Sequence, residues 1–259
     1  MIIYSNQQGI IESRGIKYND GQETNVKLPE TVIAFYSKNL FDRFLNLVYV
    51  RPVGYIATAN LHRDIYVVKY KDMEFGLFMA GVTGPVIASD IEEVSASGAK
   101  RFIIFGNCGV LDKRIEDLKI IIPNLAYRDE GTSQHYIEDS ETISVNEKYQ
   151  EDFIQILNEL GIEYERGATW TTDAIYRETP EKKDYFKNLG CLTVEMEAST
   201  ISAVCKFKGL EYFTFFYAGD NLDGIKWEER SIQGLTRIDE KEKIPFLALE
   251  LAYRISKNK

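Results

Sequence analysis

Two apolar runs ended by glycine, RFIIFGNCG (101–109) and YFTFFYAGD (212–220), constrain this chain more than any other feature. Neither alternates polar with apolar residues, so neither suits a sheet with one face in water. Both read as strands buried on two faces, within a sheet that helices cover from both sides. Shorter strands are expected at TVIAFY (31–36) and, as a hairpin around Lys71 and Asp72, at DIYVVKY (64–70) and EFGLFMAG (74–81). Helical stretches fall between them. PVIASDIEEVSASG (85–98) opens on Pro85, stops at Gly98 and carries an apolar stripe of Ile87, Ile91 and Val94. NEKYQEDFIQILNELG (146–161), EASTISAVCKFKG (197–209) and KIPFLALELAYRIS (243–256) are read the same way. The alternation predicts the α/β class, as a single domain over residues 1–259 with a mixed, mostly parallel central sheet flanked by helices. Only the terminal SKNK (256–259) reads as disordered, and no repeat or Pro/Gly/Ser linker divides the chain.

Charge and cysteine usage exclude several classes. With 31 Lys and Arg against 40 Asp and Glu, the net charge is −9, which opposes binding to nucleic acid or an anionic membrane. The longest apolar runs fall far short of a membrane span, and the N-terminus MIIYSNQQGII lacks the basic and apolar regions of a signal peptide. Three scattered cysteines, Cys108, Cys191 and Cys205, suit a reducing cytoplasm better than a disulfide framework. Two histidines, His62 and His135, far apart and without CxxC or HExxH spacing, argue against a metal site. The expectation is a cytoplasmic protein with neither metal nor cofactor.

In sheets of this kind, ligands sit outside the carboxyl ends of the strands. Four candidate strands end in polar or glycine-bearing turns: Gly81 to Gly84, Gly106 to Gly109, Ala218 to Asp220, and LTVEME (192–197). Each alone is an ordinary strand–helix turn, but four together mark a site. The last is the most unusual, because Glu195 and Glu197 flank Met196 at the end of an apolar run. In a strand both acids face one side and Met196 the other, whereas in a helix they splay apart.

VEMEAST, FIIFGNCGVLD, MAGVTGP and FFYAGD together resemble the nucleoside phosphorylase superfamily, in the branch of uridine phosphorylases, hexameric purine nucleoside phosphorylases and related nucleosidases. The resemblance runs from about residue 31 to residue 250, and YRDEGTSQHY (127–136) is most similar to the uridine phosphorylases. It implies a distorted, barrel-like sheet, a site shared between two subunits, and cleavage of an N-ribosidic bond. By this likeness Glu197 accepts hydrogen bonds from the ribose 2′ and 3′ hydroxyls and Met196 packs on the sugar. Glu195 has two readings, a sugar contact or a cap for the following helix. Asp220, 23 residues after Glu197, matches the general acid of purine-cleaving members, so Glu197 and Asp220 are the expected catalytic pair. The competing readings are a helix-end charge for Glu197 and a turn cap for Asp220. Thr83, Gly84, Asn107, Cys108 and Val194 are expected at the substrate, with Ile175 at the base-stacking position and Arg177 and Glu178 as base readers. Cys108 and Cys205 also read as small core residues, Trp170 suits core or base pocket equally, His135 reads as structural, and DEKEK (239–243) as a solvated helix start.

The likeness breaks at the nucleophile. Arg63, in HRD (62–64), is implied to bind phosphate in the partner's site, with Asn107 as a second phosphate ligand. Tyr36 or a neighbour stands in place of a phosphate-binding glycine, and Leu40 and Ile104 near or at the places of two arginines; Lys38 and Arg43 do not match by position. At roughly 1.5–3 kcal/mol per charge-assisted bond, losing two of three arginines weakens phosphate binding by about two to four powers of ten. The resemblance therefore implies phosphorolysis of a purine or uridine-like nucleoside with phosphate as co-substrate. Hydrolysis by water is the alternative, and a non-catalytic nucleoside binder is the third reading. A homo-oligomer is implied, at least a dimer and up to a hexamer.

Overall fold

In the computed structural model, which describes residues 2–16 and 26–257, the apolar runs become strands of one ten-stranded sheet. The chain runs β1 (Thr31–Phe35), α1 (Lys38–Leu45), β2 (Val50–Ala57), β3 (His62–Tyr70), β4 (Met73–Met79), α2 (Gly84–Ala96), β5 (Arg101–Val110) and β6 (Ile120–Asp129). It continues through β7 (Thr142–Ser144), α3 (Gln150–Glu159), β8 (Tyr164–Thr172), α4 (Pro180–Asn188), β9 (Cys191–Glu195), α5 (Ala198–Lys208), β10 (Glu211–Asn221), α6 (Ile238–Lys241) and α7 (Ile244–Lys257). The helix thus reaches into SKNK, whose last two residues lie outside the described ones.

β5 is the hub. Its first half pairs in parallel with β1, its whole length with β10, and its last residues, Gly109 and Val110, with β9. Every residue of β5 is buried except the half-buried Asn107. Alternate side chains go to opposite layers. Ile103 and Phe105 join α3 and α7 on one face, while Phe102 and Ile104 join α2 and α5 on the other. Phe35, Phe105 and Phe215 stack across three neighbouring strands, with ring centroids 4.7 and 4.9 Å apart. Each fully buried ring contributes about 1.5–3 kcal/mol, so this ladder fixes the register that sets the strand ends level.

The sheet is mixed, as expected, and its longest pairing, β5 with β10, is parallel. β1–β4, β1–β5, β5–β10, β6–β8 and β8–β9 are parallel; β2–β3, β3–β4, β5–β9, β6–β7 and β6–β10 are antiparallel. Tight turns such as Lys71–Asp72 leave no room for the crossover that a parallel pair needs. β10 lies at one end of the strand order yet also pairs with β5, so the sheet curls into a barrel-like shape. Among the described residues no helix is long and apolar enough to cross a membrane.

Two local expectations change. The helix expected from residue 146 begins at Gln150, because Asn146 and Tyr149 take left-handed φ of 58° and 65°. The Asn146 amide is used instead to bridge strands, donating to Pro123 O and Thr214 O while accepting from Thr214 N. In the stretch 239–243, Lys241 is buried rather than solvated, and its ammonium donates to the carbonyls of Ser231 and Gln233.

Candidate active site

The carboxyl ends of β5, β9 and β10 and the turn after β4 meet around a cavity of about 170 Å³. Asn107, Cys108 and Gly109 come from β5, Val194, Glu195, Met196 and Glu197 from β9 and its exit, Asp220 from β10, and Val82 from the turn after β4. Tyr36, Ile175, Glu178 and Ile232 complete the wall. Parallel pairing of β5 with β10 brings Asn107 opposite Tyr217 and Gly109 opposite Asp220, across an irregularity at Ala218. A Cβ on Gly109 would lie 2.5 Å from Leu222 Cδ1, 3.1 Å from Val194 Cγ1 and 3.3 Å from Asp220 Oδ1, so this strand end is closely packed. Four larger hollows, of about 970, 590, 520 and 240 Å³, contain neither Glu197 nor Asp220.

The two acids of VEME have opposite fates. Glu195 is the cap: one oxygen accepts from the N–H groups of Glu197 (2.8 Å) and Ala198 (2.6 Å), the other from the hydroxyls of Thr171 (2.6 Å) and Thr169 (3.3 Å). This satisfies the first donors of α5 and favours negative charge at its N-terminus. Burial raises the Glu195 carboxyl, and the Thr171, Glu197, Ala198 and Thr169 donors oppose that rise. Glu197 occupies the cap position of α5 but makes no capping bond. Its carboxylate reaches across to accept from Thr83 N at 2.7 Å, which leaves most of its accepting capacity to a ligand. Burial, then the charge of Glu195, pushes its carboxyl up to about 8.

Thr83 holds that bond from φ 87°, a conformation that favours glycine and costs about 1–3 kcal/mol in other residues. Gly84 lies behind the cavity rather than in it. A Cβ there would meet Thr200 Oγ1 at 2.8 Å and Thr132 Oγ1 at 2.9 Å, so its role is close packing of α2 on α5. Glu130 braces the same helix start, accepting from Ser133 N, Ser199 Oγ and Thr200 Oγ1.

At the other end, Asp220 accepts from Trp227 Nε1 at 2.6 Å and is raised by burial, against the indole bond and the charge of Arg230. The turn that follows is held by Asn221, whose Oδ1 accepts from Asp223 N, so Asp220 is not the turn cap. Glu178 sits in the same wall, and burial and the Asp220 charge push it up to about 7. Glu178, not Arg177, faces this site; Arg177 is exposed and absent from the cavity wall. Trp227 and Ile232 were not apparent as site residues. The one sequence signal is that Trp227 is a lone aromatic in the loop after β10, seven residues after Asp220.

Arg63 is turned into its own subunit. Its guanidinium is 5% exposed and makes two bonds to the carboxylate of Asp90, which is 0% exposed and also accepts from Gly81 N. The residue expected to bind phosphate thus forms an internal ion pair with Asp90. Ile104 and Leu40 are core residues, Lys38 pairs with Asp42, and Arg43 with Asp239 and Glu242. The cavity wall holds four carboxyl side chains and neither Lys nor Arg. Cys108 donates to Tyr217 O, and burial raises its thiol well above its ordinary range. Trp170 is core, stacked on Phe186 with its indole N–H on Asp129, and His135 lies against the largest hollow.

Comparison with known proteins agrees with this fold. The chain is 31% identical over 155 residues to a uridine phosphorylase of Thermococcus kodakarensis, covering 55% of this chain and 56% of that one. It is 27% identical over 161 residues to a guanosine phosphorylase of Halorubrum lacusprofundi, covering 60% of this chain and 64% of that one. The alignments thus span less than two thirds of these relatives. Among solved structures, a purine nucleoside phosphorylase of Toxoplasma gondii in complex with immucillin-H superposes with a TM-score of 0.77 at 17% identity, over 98% of this chain and all of that one. A uridine phosphorylase of Vibrio fischeri superposes with a TM-score of 0.74 at 18% identity, over 97% of this chain and all of that one. The family model described as the phosphorylase superfamily matches residues 40–244, and the chain belongs to that family.

Proposed function

We propose that this chain cleaves the N-glycosidic bond of a nucleoside, by phosphorolysis to the free base and ribose 1-phosphate, with purine nucleosides as the preferred class. The observation that carries the reading is the division of labour among acids at the strand ends. Glu197 keeps free accepting capacity at one end, while at the other burial raises the carboxyls of both Asp220 and Glu178, the latter to about 7. A carboxylate offers acceptor oxygens to a vicinal diol. Placed beside the sugar, its charge also favours the oxocarbenium character that develops as the bond to the base breaks. The electron pair of that bond leaves with the base, and a proton from the Asp220–Glu178 pair neutralises it. A purine, which accepts a proton on a ring nitrogen, suits that pair.

Met196, Val194, Cys108 and Ile175 supply the apolar contacts, and Asn107 an amide, in a cavity that the nucleoside would fill. The relatives named as phosphorylases support phosphate as the second substrate. A second reading, attack by water, is favoured by one observation: the wall contains neither Lys nor Arg.

Purified protein incubated with inosine, guanosine, adenosine or uridine, with and without phosphate, tests both. Free base released only with phosphate, together with ribose 1-phosphate, is expected. Equal release without phosphate, giving ribose, replaces phosphorolysis with hydrolysis; no base from any nucleoside removes the proposal. The pH dependence of kcat/KM is expected to be a bell with its maximum between about 7 and 8. Glu197 must lose its proton through about 8, while Glu178 gives up the useful one through about 7. A flat profile from pH 6 to 9 counts against these roles.

A further inference from the structure

Tyr36 is the cavity residue whose polar atom is buried without a hydrogen-bond partner among the described residues. It leaves β1 at its carboxyl end, and its ring lies over the backbone of β5. A Cβ on Gly106 would come within 2.6 Å of Tyr36 Cδ2, so the ring position depends on that glycine. The charges that bear on the hydroxyl are those of Glu197, Glu195 and Asp90, and none belongs to the Asp220–Glu178 pair. The hydroxyl therefore stands at the sugar-holding end, away from the acids assigned to the leaving base. Burial and those three carboxylates hold it well above the ordinary tyrosine range, so it remains a neutral O–H group.

A buried hydroxyl left unpaired weakens a fold, and native structures pair such groups unless a ligand supplies the partner. Displacement at the anomeric carbon brings the nucleophile in on the face opposite the departing base. We propose that the Tyr36 hydroxyl hydrogen-bonds the incoming oxygen nucleophile and holds it beneath the anomeric carbon, which makes Tyr36 a catalytic residue. This rests on the N-glycosidic cleavage reading of the same cavity. The shared chemistry is an oxygen nucleophile: a phosphate oxygen accepts from the hydroxyl, and a water can accept from it or donate to it. As the new C–O bond forms, the C–N bond breaks and the base takes the proton from the acid pair; the proton shed by the attacking water or hydrogen phosphate passes to solvent, from which the pair is reprotonated. Tyr36 itself stays protonated throughout.

Tyr36→Phe keeps the ring over Gly106 and removes only the oxygen. The expected result is a ten- to hundred-fold fall in kcat for base release, with KM for the nucleoside within about threefold of the original. The thermal midpoint stays level or rises, because the unpaired hydroxyl is gone. Assays run with and without phosphate separate the two nucleophiles. If phosphate attacks, KM for phosphate rises as well; if water attacks, only kcat falls. Tyr36→Leu, which also empties the ring space, is expected to lose at least as much. An unchanged kcat in either variant overturns the proposal, as does a rise in nucleoside KM at constant kcat, which would make Tyr36 a sugar contact. Absence of base release by the unaltered protein would instead remove the cleavage reading, and this is seen before any variant is made.

Discussion

Glu197→Gln is expected to lower kcat/KM for base release by about two to four powers of ten while raising the thermal midpoint at pH 8. The activity loss follows from bond strengths. Two hydroxyls donating to a carboxylate contribute about 1.5–3 kcal/mol each, and an amide keeps only a weaker, neutral acceptor. The negative charge beside a sugar becoming positive is lost as well. The stability gain follows from where the carboxyl sits. Its folded value is pushed up to about 8, against 4.5 as its ordinary one. Between these values the folded state binds more protons than the unfolded state, so stability falls as pH rises from about 4.5 through about 8. Glutamine carries no charge and removes that loss. The midpoint of the variant should exceed that of the unaltered protein at pH 8, by about 2–4 °C for each kcal/mol recovered, and match it near pH 4.5. Equal midpoints at pH 8 would mean that Glu197 is not a destabilised, ligand-ready carboxyl.

Arg63→Met is expected to be the most destabilising of the substitutions considered, by about 3–5 kcal/mol, because it leaves Asp90 buried without its counter-charge. Asp90 is 0% exposed, and apart from Arg63 its recorded donor is Gly81 N. Adding Asp90→Asn should recover much of the loss, since the amide oxygen still accepts from Gly81 N and no charge remains. Urea titration of the two single variants and the double variant measures this coupling. Losses that simply add would mean that the pair is not held as the structure has it. The pair lies beneath the turn that carries Val82 and Thr83 to the cavity, so the single variant should also blunt activity through Thr83 and Glu197.

Much of this architecture is written locally. β5 and β10 are continuous apolar runs because both faces are covered, and runs of that kind are legible without any partner. The hairpin of β3 and β4 and the Pro-to-Gly span of α2 are local for the same reason. β2 and β6 are harder, because each carries a proline. Pro52 and Pro123 both sit at irregularities where the register shifts, which is where a strand tolerates a missing N–H. β8 reads as polar, yet Thr169 and Thr171 are buried, and their hydroxyls are spent on Glu195. A strand that satisfies a distant carboxylate has no apolar period to detect.

The site divides along the same line. Glu197, Met196, Asn107, Cys108, Val194, Ile175 and Asp220 meet in one cavity because they lie at strand ends or beside them, and strand ends converge by topology. Of the two readings of Glu195, the cap is the one its hydrogen bonds make. Glu178 and Arg177 are adjacent in an irregular turn, and no periodicity says which of two neighbours faces inward. The inward turn of Arg63 depends on Asp90, 27 residues away, and the placement of the Tyr36 ring depends on Gly106, 70 residues away. Such pairings arise only once the chain is folded.

The central claim is that one end of this cavity holds a sugar and the other a base. A crystal structure with a bound purine nucleoside tests it most directly. The account expects the ribose diol on the Glu197 carboxylate, the sugar against Met196, and the base edge within hydrogen-bond reach of Asp220 or Glu178. A nucleoside bound the other way round, or held in one of the larger hollows away from Glu197, would contradict it.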